Sequence, residues 1–217
     1  MLIPWRVKNF VSNRFPLLYH VMANLGVKGN SSEHWDSRLD DAWDAPIANW
    51  PTKNQLVASL TSPSEIILDL GCGTGSILRY LKSQGFSHLH GLEISGYAIK
   101  RLSADGITMH RGKLPSVPLP DDTFDVVIAS QVLEHLVRRA RFLREVRRIL
   151  KPGGRALVFV PDDCLGPIDE PEHVIKFTAQ SLRKLLQAHF SVVSIESMRD
   201  VNHAMPLLFA AVQKPRH

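Results

Sequence analysis

A chain of 217 residues with 44% hydrophobic and 22% charged residues can build one core of ordinary size and is too apolar for global disorder. Its formal charge of +5 is modest, and its two cysteines, Cys72 and Cys164, exclude a disulfide framework or a zinc-ligand pattern and point to a reducing compartment. No run approaches the roughly eighteen apolar residues of a membrane span, so the expectation is a cytoplasmic protein.

The charge is unevenly spread along the chain. Met1 to Ser32 carries Arg6, Lys8, Arg14 and Lys28 and no acid, and Glu33, Asp36, Asp40, Asp41 and Asp44 follow. A basic, acid-free start has the composition of a transit peptide, whereas Phe15 to Leu25 is too short, and too interrupted by His20 and Asn24, for a secretory signal. The four tryptophans, Trp5, Trp35, Trp43 and Trp50, also fall in this first part, which has no strand-like alternation. Residues 1–60 are therefore expected to form a helical cap or lid, with residues 61–217 as the main domain. Pro16 to Leu25 can form an amphipathic helix with Leu18, Val21, Met22 and Leu25 on one face. The aromatic residues then either close an edge of the core or roof a substrate pocket. A helix lying on a membrane surface is a third reading of the same segment.

Ile66 to Gly75, Ile-Ile-Leu-Asp-Leu-Gly-Cys-Gly-Thr-Gly, organises the rest of the chain. The apolar run reads as a buried parallel strand, and Gly71, Gly73 and Gly75 let the backbone turn tightly and a ligand approach it. Helical character resumes at Ser76, so amide donors and a positive dipole end meet at one point. The third glycine stands one residue too early for G-x-G-x-x-G, and the lysine of a Walker loop is absent. Cys72 inside the turn is read as a small filling residue rather than a nucleophile, since no base stands beside it in sequence.

From here apolar runs alternate with helical stretches, which predicts an α/β fold with a doubly wound, seven-stranded, mostly parallel sheet. The second strand, His88 to Glu93, ends in an acid eighteen residues after Gly75, placed to accept the hydroxyls of a ribose. A third strand, Ile107 to His110, leads into Arg111-Gly112-Lys113-Leu114. The fourth, Phe124 to Ala129, delivers Ser130-Gln131-Val132-Leu133-Glu134-His135 to the carboxyl edge, where open α/β sheets bind ligands. Val132 to Leu150 reads as an amphipathic helix with Leu136, Ala140, Leu143, Val146 and Leu150 inward and a solvated face of arginines, Arg138 to Arg148, outward. Lys151-Pro-Gly-Gly stops it, and Arg155 to Val160 is the fifth strand. The loop Pro161 to Ile175 carries acids, prolines and His173. Thr178 is a candidate N-cap for a helix to Ala188, and Phe190 to Ser197 and Leu207 to Gln213 complete the sheet as an antiparallel edge.

The pattern D-x-G-x-G-x-G from Asp69 to Gly75 resembles the first motif of the class I S-adenosylmethionine-dependent methyltransferases. Val-Leu-Glu-His and the later Leu143-Arg-Glu-Val-Arg-Arg-Ile-Leu-Lys-Pro-Gly-Gly resemble the small-molecule, type 11-like branch of that family. The resemblance spans residues 66–213 and implies methyl transfer from S-adenosylmethionine to an O, N or C nucleophile of a small molecule. It assigns the cofactor to Asp69, Gly71, Cys72, Gly73, Gly75, Glu93, Ile94, Lys113, Leu114, Ser130 and Gln131. Lys113 stands where the family commonly has an adenine-binding Asp, and lysine has no acceptor. Some quinone-pathway relatives hold a divalent ion with E-x-x-E-H; here Gln131 takes the first position, so no metal is expected. The D/N-P-P-Y/F sequence of many amino-group methylases is absent. His135 and His173 are the candidate general bases, because His titrates near neutral pH. A nucleic-acid methyltransferase using the Arg138–Arg148 helix, and a non-catalytic S-adenosylmethionine-binding module, are the alternatives, and peripheral membrane contact through the N-terminal helix stays open.

Overall fold

The computed structural model describes residues 7, 10–11, 14–23, 30–164, 170 and 172–216. Helices α1 (Pro16–Ala23), α2 (Ser32–Ala42) and α3 (Pro51–Ser59) precede the sheet. Strand β1 (Ile67–Leu70) is followed by α4 (Ser76–Ser83), β2 (Leu89–Glu93), α5 (Gly96–Ala104), β3 (Thr108–Arg111) and β4 (Phe124–Ser130). Then come α6 (Arg139–Ile149), β5 (Leu150–Pro161), α7 (Ala179–Gln187), β6 (Ser191–Arg199) and β7 (Pro206–Gln213). The seven strands lie in the order β3-β2-β1-β4-β5-β7-β6; β3 to β5 pair parallel, and β7 runs antiparallel to both of its neighbours. This is the expected doubly wound sheet with its antiparallel edge.

The strands are hydrophobic on both faces because helices cover both. Alternate residues point to opposite sides. Leu68, Leu70, Val127 and Ala129 pack toward α6 and α7, whereas Ile67, Val126 and Ile128 pack toward α3, α4 and α5. Strand order reverses at β1, whose neighbours are β2 and β4. A crevice therefore opens at the carboxyl ends of β1 and β4, the switch point where such sheets take ligands.

Two local readings are corrected. Val132 to Leu150 is not one helix: Leu133–His135 forms a single 3-10 turn, and α6 begins only at Arg139. Val132, Leu133, Glu134 and Leu136 are all buried, and four inward residues out of five cannot lie on one stripe of a surface helix. The buried face of α6 is accordingly Phe142, Leu143, Val146 and Ile149, with Ala140 exposed. Lys151-Pro-Gly-Gly ends the helix but belongs to β5, where Phe124 pairs with Leu150 and Val126 already with Arg155. The extra residues bulge out of the ladder.

The N-terminal helices divide. α1 leaves Leu17, Leu18 and Val21 about half exposed; Trp5 and Leu25 lie outside the described residues. α2 and α3 are tied to the sheet domain. Asp36 accepts from Ser95 Oγ at 2.6 Å and from Tyr97 N at 3.1 Å, at the N-terminus of α5. Lys53 N donates to Asp200 Oδ2 at 3.0 Å, and Asn54 Nδ2 to Ser76 Oγ at 2.9 Å.

The turn after β1 requires its third glycine. Gly75 has φ +73, and a Cβ there would stand 2.4 Å from Leu102 Cδ2, inside the packing of α5. Gly75→Ala is expected to lower unfolding stability by about 2 kcal/mol or more, from left-handed strain and overpacking together, as read by urea denaturation.

Candidate active site

The carboxyl ends of β1, β2 and β4, with α2, α3 and the loop after β5, enclose one cavity of ≈ 1150 Å³. Single-ligand pockets are roughly 300–1000 Å³, so the space suits two ligands side by side. Asp69, Gly71, Cys72, Gly73, Glu93, Ile94, Lys113, Leu114, Ser130 and Gln131 all line it, as do His135 and His173. Gly75 does not; it caps α4 and holds the turn. Trp35 and Trp50 form part of the lining, while Trp43 is buried away from it with its ring edge-on to Tyr97.

Glu93 is buried, and its carboxylate already serves the loop. Oε2 accepts from Gly73 N at 2.9 Å, and Oε1 from Ile94 N at 2.7 Å and Ser95 N at 3.1 Å. A carboxylate has about four acceptor sites, so roughly one remains for a ligand hydroxyl. Asp69 is also buried, with no partner for Oδ1, and burial pushes its carboxyl up to about 7. Cys72 Sγ packs 3.0 Å from where a Cβ on Gly91 would stand, and burial drives its thiol well above the usual range.

Sequence reasoning missed Lys53. Its side chain runs from α3 across the end of β4, where Nζ donates to Ser130 Oγ at 2.9 Å and Gln131 Oε1 at 3.5 Å, 4.2 Å from the centre of the Trp50 ring. Burial lowers its ammonium to about 8, against the pull of Asp69, Asp200 and Glu134. The only sequence signal was its place one helical turn before Val57, which is fully buried.

The far wall is built from the 3-10 turn and the loop after β5. Val174 N donates to Glu134 O at 2.6 Å, and His135 Nδ1 lies 3.2 Å from Glu172 O. The Glu172 carboxylate is held by His34 and by Arg38 of α2, each at 2.8 Å. The His135 and His173 rings, 38 residues apart in sequence, stand 4.6 Å apart at 84°. Trp35 packs edge-on against His135. Burial, with His173 beside it, holds His135 down at about 3, so it is neutral and a poor proton store. Burial raises Glu134 to about 8.

A switch-point cavity with a glycine loop after β1 and an acid after β2 defines a nucleotide-binding open α/β protein. The chain matches a methyltransferase-domain family of type 11 over residues 68–158. It is 30% identical over 114 residues to mouse probable tRNA methyltransferase 9B, covering 51% of this chain and 25% of that protein. It is 32% identical over 100 residues to a sterol 24-C-methyltransferase of Gibberella zeae, covering 42% and 26%. The chain thus spans about a quarter of the length of these curated relatives. Its fold matches the methyltransferase solved in complex with the Haloferax volcanii Trm112 activator, with a TM-score of 0.68, 20% identity, and 85% and 96% of the two chains covered.

S-adenosylmethionine is the cofactor of this family, and the residues present fit it. The unpartnered Asp69 Oδ1 can accept from its ammonium, and Lys53 can face its carboxylate. A Cβ on Gly71 would meet Val132 Cγ2 at 3.0 Å, so the glycine lets the Val132 side chain pack directly against the loop.

Because its thiol is buried and protonated, Cys72 should resist alkylation at pH 8 in the folded protein and react only after denaturation. Mass spectrometry of iodoacetamide-treated samples checks this, with the partly exposed Cys164 as the internal comparison.

Proposed function

We propose that the chain transfers the methyl group of S-adenosylmethionine to a nucleophile on a small molecule held beneath the α2–α3 roof. The observation that carries the reading is the continuous cavity that joins the glycine loop and Glu93 to Glu134 and His173. In this reading adenosine lies over Glu93 and Ile94 at β2, and the amino-acid end over Asp69 and Lys53 between β1 and β4, which the strand order supports. Bound there, the cofactor supplies a methyl group already activated by its sulfonium. What remains for the protein is to orient the acceptor, exclude water and stabilise charge. Trp35 and Trp50 supply flat apolar surface for an acceptor on the side away from Glu93.

The relatives named for tRNA and for sterol leave both substrate types in play for the family. A small acceptor is favoured here because the cavity is roofed by α2 and α3, themselves tied to α4 and α5. The arginine face of α6 also partly serves packing: Arg148 binds Asp121, Glu145 and the carbonyls of Val117 and Leu119. Methyl-labelled cofactor incubated with the chain and a cell extract should label the low-mass fraction. Label in nuclease-sensitive material would overturn the small-acceptor reading.

Lys53 and Asp69 set the pH dependence of cofactor binding. Lys53 carries its charge below about 8, and Asp69 carries its charge above about 7, with Glu93, Glu134 and Asp200 adding to the field around them. Affinity for S-adenosylhomocysteine should pass through a maximum between pH 7 and 8 and fall on either side. Methylthioadenosine, which lacks the amino-acid end, should show no such maximum. Lys53→Met should weaken S-adenosylhomocysteine by about tenfold or more, the worth of one charge-assisted contact, and leave methylthioadenosine unchanged. Calorimetry with both ligands measures each effect.

A further inference from the structure

One group of side chains in the cavity has been given no contact with the cofactor. Glu134 is 1% exposed, and neither carboxylate oxygen has a hydrogen-bond partner. A buried polar group without a partner is rare and costly, and points to a ligand. His135 is oriented beside it. Its Nδ1 faces the Glu172 carbonyl, which can only accept, so Nδ1 carries the proton and Nε2 keeps its lone pair. His173 completes the group: donor atoms of Glu134, His135 and His173 all lie within 4.8 Å of one another.

We propose that Glu134, His135 and His173 bind one first-row divalent cation, with its open coordination positions facing the methyl acceptor. Two imidazole nitrogens and one carboxylate suit zinc, iron, manganese or cobalt, whereas calcium and magnesium take oxygen sets. Three protein ligands leave positions for substrate or water, as reactive sites do and closed structural sites do not. Donors at about 2.0–2.2 Å from one ion stand roughly 3–3.5 Å apart, so small side-chain rotations close the set. The Glu172 carbonyl is the outer-shell partner that fixes the His135 ring. That peptide is itself held, through Val174 N on Glu134 O and through the Glu172 carboxylate on His34 and Arg38.

The ligand set is not legible as a motif. Gln131 stands where an acid would be needed, and Gln131 Oε1 instead lies 3.5 Å from Lys53 Nζ. The third ligand comes from the loop after β5, brought in by folding. Resting on the methyl-transfer reading, the site also assigns the acceptor class. A cation with open positions takes an acceptor whose own donor atom, a hydroxyl oxygen, an amine nitrogen or a thiolate sulfur, can ligate it. His135 and His173 then act as ligands rather than as bases.

The test titrates the full chain with Co²⁺, read by visible absorption, and with Zn²⁺, read by calorimetry. The expected result is one tight site per chain. Glu134→Gln and His173→Ala should each weaken it by more than the roughly 10–100-fold that outer-shell partners alone are worth. The circular dichroism spectrum and melting temperature of the same variants should stay close to those of the wild type, which establishes that they fold. His203→Ala, which alters another cavity histidine away from the set, should leave Co²⁺ binding intact. Absence of a Co²⁺ band at millimolar metal, or equal affinity in wild type, Glu134→Gln and His173→Ala, would overturn the metal site. Failure of the wild-type chain to bind S-adenosylhomocysteine would overturn the methyltransferase reading instead, with the metal titration read independently of it.

Discussion

One ammonium group, Lys53 Nζ, stands buried within the field of three carboxylates, and the active-site end of the sheet is arranged around it. Asp69 comes from the end of β1, Glu134 from the turn after β4, and Asp200 from just beyond β6. Charges out of water are unfavourable singly and tolerable only as a compensated set. Lys53 is delivered by α3, a helix that precedes the first strand, so the set can be complete only when α3 is docked. The electrostatics of the cavity and the attachment of its roof are therefore one constraint.

The roof is fixed by polar contacts at helix ends together with the burial of Leu39, Trp43, Trp50 and Val57 in the core. Asp36 caps α5, Ser32 Oγ donates to the carbonyl of Ile94 at 3.0 Å, and Asn54 reaches the first residue of α4. Each contact lands on a helix N-terminus or on the strand end just before it, where amide donors and the dipole are concentrated. Glu172 extends the same logic to the loop after β5, pairing with α2 while its carbonyl orients His135. The helical cap, the glycine loop and the histidine wall are thus joined through a short chain of buried or half-buried polar groups. A change at Arg38 or Asp36 would reach the site without touching a ligand.

The pocket divides along the strand order. Toward β2 it is lined by backbone, Glu93 and Ile94. Toward β4 and β5 it is lined by titratable groups held away from their ordinary protonation, Asp69, Lys53, Glu134 and His135, each shifted first by burial. Clustered shifts of this kind mark places where the fold tolerates unfavourable desolvation for the sake of chemistry. The two ends are thus distinct in composition as well as in position.

The sequence by itself determined what short-range chemistry controls. Gly71 to Gly75 demanded a turn, the apolar runs demanded buried strands, Thr178 demanded a helix start, and the spacing of Glu93 from the loop placed an acid at the end of β2. These follow from backbone sterics, periodicity and capping, which act over a few residues. Tertiary structure decided the rest. It turned Val132 to Leu136 inward as a turn rather than a helix, because neighbours on both sides of the segment bury it. It brought Lys53 to Ser130 across 77 positions and Glu172 to Arg38 across 134. It set His173 against His135 and left Glu134 unpartnered beside them. Contacts of that range depend on how whole elements pack, and no spacing along the chain records which distant side chains will share one dry cavity.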